Sequence, residues 1–274
     1  MGDSLEIVPS GKTLGAEVCG LDLSRPLTPP LVARLRRALI EYCVLLFRGQ
    51  ELTEPEQVRF TGYFGTPAKH TRLNPAGVKT ESEIFVVSNV KENGKVIGSL
   101  GHGEIDFHSD LAYMAKPGSI SLLYALELPP SGSQTQWASA YAAYENLDAR
   151  TKERIATLRA THVHPTAELN PPTPVAHPVV RRHPESGRLG LFVTPYMTRS
   201  IVGMRGDEGD ALLSELLAQV VKPEFVWTHE WSPGDVVMWD NRATSHRRRA
   251  FPESERRIMK RTQVFGDEIP VGID

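Results

Sequence analysis

Phe107-His108-Ser109-Asp110-Leu111-Ala112-Tyr113 is the stretch on which the fold and the chemistry of this chain turn. Taken as a β-strand with its side-chain period of two, it sets His108 and Asp110 on one face. A later strand end would deliver His246 as a third ligand. Two imidazoles and one carboxylate fill one face of an octahedron and leave the rest of the coordination sphere open. That pattern suits a non-haem Fe(II) oxygenase and does not suit a closed structural zinc site. All three ligands are expected on strands, so the framework that carries them is expected to be mainly β.

Past His246 runs Arg256-Arg257-Ile258-Met259-Lys260-Arg261-Thr262-Gln263-Val264-Phe265. A strand over 256–265 puts Arg257, Met259 and Arg261 on one face and Arg256, Ile258, Lys260 and Thr262 on the other. Guanidiniums turned into a barrel are costly unless anions meet them there, and arginine is suited to bidentate carboxylate binding. Alone, the segment reads as an exposed basic edge strand. Its place after Trp239-Asp240-Asn241-Arg242 and His246 turns the expectation toward one arginine for a co-substrate carboxylate and one for the substrate.

Short strand candidates recur along the rest of the chain: Val44-Leu45-Leu46-Phe47, then 84–90, 119–126, 159–164, 177–183, 189–193, 225–231 and 235–239. Pro184-Glu185-Ser186-Gly187 and Ser232-Pro233-Gly234-Asp235 are turn signals between pairs of them. Helices are expected around them. Residues 28–42 open on Thr28-Pro29-Pro30 and place Leu31, Leu35, Ala38, Leu39 and Tyr42 on one stripe. Thr53-Glu54-Pro55-Glu56 has capping-box spacing, and Gly132 to Asp148 and Asp207 to Val221 read as further helices. Many short strands with turn punctuation predict a mainly β fold with added helices, a double-stranded jelly roll, as one domain over residues 1–274. Residues 66–82, which mix Thr66-Pro67 and Asn74-Pro75-Ala76-Gly77 with His70, and residues 165–176, which carry Pro165, Pro171, Pro172 and Pro174 without periodicity, are either lids over the site or disordered connections.

Other histidines compete for the metal. His102-Gly103-Glu104 has the right spacing, but glycines at 98, 101 and 103 make it a loop. His162 and His164 have no further Cys or His at zinc spacing and read as a half-buried strand. His229 lacks a following arginine, since Asp240 stands where one is needed, and His177 and His183 bracket an alternating strand without evident chemistry.

Composition sets outer bounds. A net charge of −2 gives no footprint for nucleic acid. Two cysteines, Cys19 and Cys43, exclude a disulfide scaffold and suit a reducing cytoplasm. Met-Gly-Asp-Ser-Leu-Glu lacks the features of a signal peptide, Glu6 stands where myristoylation wants Ser or Thr, and no apolar run is long enough to cross a bilayer. A cytoplasmic protein with no membrane and no nucleic-acid partner is expected.

The ordered set of motifs resembles the taurine dioxygenase and 2,4-dichlorophenoxyacetate dioxygenase family of Fe(II)/2-oxoglutarate enzymes. The resemblance runs nearly end to end. It starts at Gly15-Ala16-Glu17-Val18-Cys19-Gly20-Leu21-Asp22-Leu23 and passes through His108-Ser109-Asp110, Glu127-Leu128-Pro129 and Gly132-Ser133-Gln134-Thr135. It continues through His177-Pro178-Val179-Val180 to Trp239-Asp240-Asn241-Arg242. It implies a cupin-like double-stranded β-helix in which His108, Asp110 and His246 hold iron and Thr135 and Arg257 hold the distal carboxylate of 2-oxoglutarate. Arg261 then matches the arginine that faces the substrate's anionic group, and a homodimer or higher homo-oligomer is implied.

The reaction implied is hydroxylation of a small anionic organic substrate with 2-oxoglutarate, Fe(II) and O2, giving succinate and CO2. Asp110 favours hydroxylation, because a halogenase of this type needs a small residue there to admit halide. His70 and Arg261 are candidates to hold a sulfonate, carboxylate or phosphonate, and an aryloxyacid belongs to the same range. Departures from the taurine pattern lie at Glu104 and Leu73, where taurine enzymes carry Asn and Tyr. Glu104 either binds a cationic group of a zwitterion or orients a loop. Two rival classes are a metal-dependent hydrolase or isomerase on the same fold, which needs no anion anchor at Arg257, and a non-catalytic binding barrel that has lost turnover.

Overall fold

A computed structural model describes residues 5–73, 79–204 and 206–273. The chain opens with an antiparallel pair, β1 (Glu6–Pro9) and β2 (Ala16–Cys19), followed by α1 (Pro29–Tyr42), β3 (Val44–Phe47) and α2 (Glu54–Gly62). Next come β4 (Phe85–Ser88), β5 (Ile105–His108), β6 (Gly118–Glu127), β7 (Thr135–Ser139), α3 (Ala140–Glu145) and α4 (Ala149–Ile155). The last third holds α5 (Asp207–Val220), β8 (Val226–His229), β9 (Val236–Asp240), β10 (Thr244–Arg248) and β11 (Ile258–Phe265).

Two sheets face each other. The larger has the order β1-β2-β3-β9-β6-β11-β4 with Ser99–Leu100 at its edge, and the smaller has the order β5-β10-β7-β8. Strand alternation divides the large sheet between two cores. Leu45, Phe47, Leu122, Tyr124 and Met238 face outward onto Leu35, Ala38 and Leu39 of α1 and Phe60 of α2. Their neighbours Val44, Leu46, Leu123, Ala125, Val237 and Trp239 face inward and meet Trp137 and Tyr141. The expected stripe on α1 is therefore the buried one. That helix ends where Cys43 takes a left-handed conformation, φ 63°, and its N–H bonds to the Leu39 carbonyl at 2.8 Å, so the chain reverses directly into β3.

A second core lies against the smaller layer. Leu212, Leu213, Leu216 and Val220 of α5 pack with Ile155, Ala160, Val180, Leu191 and Val193, covering a three-stranded sheet of Val175–Pro178, Arg159–His162 and Thr198–Ile201. The acidic first turn of α5, with Asp207, Glu208 and Asp210, sits at the positive end of the helix dipole.

Three expected boundaries are corrected. The strand expected over 107–113 ends at His108, and Ser109 to Tyr113 turn instead of extending, because Leu111 sits at φ 59° and Met114 N–H closes on the Leu111 carbonyl at 2.8 Å. The helix expected over Gly132 to Asp148 is first a strand, β7, and becomes helical only after Ser139, whose hydroxyl accepts from Ala142 N. The strand expected from 256 begins at Ile258, so Arg257 precedes it. Residues 66–82 were expected to be irregular; His70–Leu73 and Lys79–Ser82 pair as an antiparallel ladder, while Asn74-Pro75-Ala76-Gly77 lies outside the described residues.

Candidate active site

His108 closes β5 directly across from His246 of β10, and His246 in turn pairs with Trp137 of β7. Cross-strand partners share a face, so both imidazoles point the same way, with ring centroids 4.2 Å apart. Asp110 reaches them through the turn and not through strand alternation. Its carbonyl accepts from Gly118 N at 2.9 Å, and a Cβ on Gly118 would stand 3.2 Å from the Asp110 Cβ, so β6 approaches the turn closely because residue 118 has no side chain. The ligand atoms of His108, Asp110 and His246 all lie within 4.8 Å of one another, and among the described residues they form the one such group of His, Cys, Asp and Glu.

A buried polar network fixes the carboxylate. Ser121 Oγ donates to Asp110 Oδ2 at 2.6 Å, and Asn241 Nδ2 and Gln263 Nε2 donate to Ser121 Oγ at 3.0 and 3.2 Å. Asn241 Oδ1 accepts from Asp110 N and from the Trp239 indole, and the Asn241 carbonyl accepts from Ser109 Oγ. The turn carrying Asn241 is held by Asp240, which accepts from Arg242 and pairs with His183 Nε2 at 3.1 Å. Alternation puts Ser121 and Gln263 on the inward faces of β6 and β11 in one cross-strand pair.

Electrostatics suit a divalent cation. Burial lowers the proton affinity of His108 and pushes His246 down to about 3, so both rings are neutral at pH 7. His108 Nδ1 lies 2.8 Å from the Asp106 carbonyl, which only an N–H can satisfy, so Nε2 keeps its lone pair for a metal. Burial alone would raise the Asp110 carboxyl, but His246, Arg261, His108 and the Ser121 hydroxyl hold it well below the usual carboxylate range. Two neutral nitrogens and one carboxylate oxygen therefore stand ready together, a donor set that fits Fe(II) with open positions.

Arg257 is 1 % exposed, its Nε has no partner, and no carboxylate of the described residues forms an ion pair with it. Burial, with Arg248 nearby, pushes its pKa down to about 9. A buried cation left this way calls for an external anion. Thr135 is buried on β7, and its Oγ1 accepts from the Trp231 indole at 2.9 Å, leaving the hydroxyl proton free to donate.

Arg261 stands on the inward face of β11, with Nη1 3.6 Å from Asp110 Oδ1 and its Cζ 4.6 Å from the centroid of the Phe85 ring. His70 is edge-on to Phe85 and Phe265 at 5.4 and 5.9 Å, with Nε2 buried and unpartnered. Burial lowers its pKa, and Arg261 adds to that. Tyr196 lies 5.6 Å from the His108 ring and Tyr113 5.1 Å from His164. Glu104 is apart from this group: it is half exposed, and its carboxylate faces Arg249 at 3.6 Å. His102 is half-buried in a loop, and His162 and His177 are buried against Phe192.

Ser121, Gln263, Trp231 and Arg248 were not singled out from the sequence. A serine inside the apolar run Ile120-Ser121-Leu122-Leu123 was the available signal, since a polar side chain on a buried strand needs a partner.

A β barrel with an open-sided His/Asp/His group and an orphan buried arginine defines the class of Fe(II)- and 2-oxoglutarate-dependent oxygenases. The profile of the Taurine catabolism dioxygenase TauD, TfdA family matches residues 6–263, and the chain belongs to that family. It is 31% identical over 286 residues to Pentalenolactone F synthase of Streptomyces avermitilis, covering 94% of this chain and 93% of that protein. It is 32% identical over 271 residues to the Alpha-ketoglutarate-dependent 2,4-dichlorophenoxyacetate dioxygenase of a Burkholderia species, covering 91% of each. A crystal structure of a taurine dioxygenase from Burkholderia xenovorans superposes with a TM-score of 0.83 at 34% identity, covering 98% of this chain and 91% of that one. The chain is an enzyme of the 2-oxoglutarate-dependent dioxygenase kind, with Fe(II), 2-oxoglutarate and O2 as its cofactor and co-substrates.

Proposed function

We propose that the whole chain, acting as one domain, hydroxylates a small anionic organic substrate and couples this to decarboxylation of 2-oxoglutarate to succinate and CO2. His108, Asp110 and His246 hold the iron, which when bound supplies the oxidising chemistry. Thr135 and Arg257 hold the distal carboxylate of 2-oxoglutarate. Arg261 and His70 receive the substrate's anionic group, a sulfonate, carboxylate, phosphonate or aryloxyacid. Glu104, paired with Arg249, orients the loop before β5 and does not contact substrate. The observation that carries this reading is the buried Arg257 guanidinium, which no acid of the described residues neutralises.

The residues' parts follow from their chemistry. Ser121 and Asn241 keep the Asp110 carboxylate in one orientation. Asp106 fixes the His108 tautomer. Trp231 aims the Thr135 hydroxyl by occupying one of its lone pairs. Phe85 lies beneath the Arg261 guanidinium and holds it against its ring face. Cytoplasmic location and a homodimer or higher oligomer belong to the same reading; free Cys19 and Cys43 support a reducing compartment, and a monomer in light scattering at micromolar concentrations refutes the assembly. None of the described helices is long and apolar enough to cross a membrane.

The test is an anaerobic titration of the Fe(II) protein with 2-oxoglutarate, read by the visible absorbance of the chelate, followed by oxygen-dependent succinate release over sulfonates, phosphonates, aryloxyacids and amino acids. Arg257→Ala weakens the chelate, whereas Arg261→Ala leaves it nearly unchanged and impairs the response to substrate. Equal weakening in the two variants, or weakening only in Arg261→Ala, reverses the assignment.

A further inference from the structure

Arg248, like Arg257, is a buried guanidinium with no ion-pair partner among the described residues. It is 7 % exposed, and its Nε and Nη1 have no partner. No carboxylate of the described residues forms an ion pair with it. Its Nη2 is the exception to this isolation, donating to the carbonyls of Leu100, at 2.9 Å, and Gly103. Those carbonyls belong to the loop that leads into β5, where Leu100 at φ 74° and Gly101 at φ 46° are both left-handed.

The position of Arg248 is as informative as its burial. It lies two places along β10 from His246 and shares that inward face, and its cross-strand partners are Thr135 on β7 and Ile105 on β5. Arg257 and Arg248 stand over one ring, with guanidinium carbons 5.9 and 5.5 Å from the Phe251 centroid, and Arg248 is close enough to disfavour the charge on Arg257. Two cations that share one aromatic ring and have no acid between them repel, and a dry interior makes the repulsion larger. One anion between them would satisfy the free edge of each.

We propose that Arg248 is a second binding residue for the distal carboxylate of 2-oxoglutarate and, through Leu100 and Gly103, couples co-substrate binding to the order of the 99–104 loop. This rests on the reading of Arg257 and Thr135 as the co-substrate's anchor. One guanidinium serves both tasks because it carries five N–H donors in a fixed fork: Nη2 holds the two carbonyls while Nη1 remains for the anion. Since the loop runs into β5 and His108, tightening it on co-substrate binding would also steady one imidazole of the metal group.

The chelate titration tests this in wild type, Arg248→Gln, Arg248→Lys and Arg257→Ala, each first checked for native circular dichroism. Two ligands are compared: 2-oxoglutarate, and 2-oxopentanoate, which has no distal carboxylate. Arg248→Gln is expected to raise the 2-oxoglutarate needed for half-saturation about tenfold to a hundredfold, the range for losing one charge-assisted hydrogen bond. Its 2-oxopentanoate titration stays at the wild-type value, which a merely structural defect would not spare. Arg248→Lys keeps the charge and recovers part of the affinity. In wild type, amide exchange over 99–104 slows when 2-oxoglutarate binds, and in Arg248→Gln it does not. A wild-type titration in Arg248→Gln while Arg257→Ala loses binding overturns the proposal and leaves the anchor standing. Equal weakening for both ligands, or exchange over 99–104 that ignores 2-oxoglutarate in wild type, also overturns it. Wild-type titrations in both Arg248→Gln and Arg257→Ala overturn the anchor itself.

Discussion

Replacing Ser121 by Ala removes the donor to Asp110 Oδ2 at 2.6 Å and the acceptor used by Asn241 Nδ2 and Gln263 Nε2. All four residues are buried, so no bulk water takes over. The lost bond to an ionised carboxylate is worth about 1.5–3 kcal/mol, and each stranded amide donor costs about 1–3 kcal/mol more where it finds no new partner. Some relaxation is expected, because Asn241 still bonds the Asp110 backbone and the Trp239 indole through its Oδ1. A net loss of about 2–4 kcal/mol in folding stability follows, seen as a lower urea midpoint with an unchanged slope. The larger consequence is at the metal: with Oδ2 released, the carboxylate can rotate, and partners that orient a ligand in this way typically account for about 10–100-fold in metal affinity. Competitive Fe(II) or Co(II) titration under anaerobic conditions measures it. Ser121→Ala with wild-type metal affinity would refute the idea that this network orients Asp110, whatever its effect on stability.

Other outcomes follow from the same geometry. His108→Ala, Asp110→Ala and His246→Ala are expected to stay folded, bind Fe(II) poorly and lose oxygen-dependent succinate production; iron-dependent wild-type turnover in any of them sinks the metal assignment. Arg257→Met removes an uncompensated buried cation, so the ligand-free protein gains about 1–4 kcal/mol in thermal or urea unfolding while 2-oxoglutarate no longer stabilises it; a less stable ligand-free variant contradicts this. Trp231→Phe deletes the indole bond to Thr135 Oγ1 and should weaken the 2-oxoglutarate chelate severalfold without changing Fe(II) affinity. Burial holds His162 down to about 3 and His177 to about 4, whereas unfolded histidine titrates near ~6.5. The unfolded state therefore takes up protons first as pH falls, and stability declines below about pH 6.5 by up to about 1.4 kcal/mol per pH unit for each ring. His177→Gln should remove one ring's share of that slope between pH 6.5 and 4.5 in the ligand-free protein; an unchanged slope counts against its being neutral in the folded state.

The primary sequence alone was enough to single out His108, Asp110 and His246, which the fold gathers into one group, because few residue types can ligate iron, and to draw attention to Arg257 and Arg261 by their spacing after His246. Helix α1 was legible from its apolar stripe, and the turns at 184–187 and 232–235 from proline and glycine. How the site is built was not legible. Strand periodicity gave His108 and Asp110 one face, yet β5 stops at His108 and a left-handed Leu111 turns the chain, because Gly118 lets β6 come close enough to hold the turn. Thr135 was expected in a helical stretch, but pairing with β8 and β10 makes it a strand residue, since cross-strand partners distant in sequence override local propensity. Ser121, Gln263 and Arg248 gain their meaning only from tertiary register. One β period on β6, β10 and β11 decides which side chains face the interior, and only the assembled sheets decide which of those interior groups find partners and which are left for a ligand.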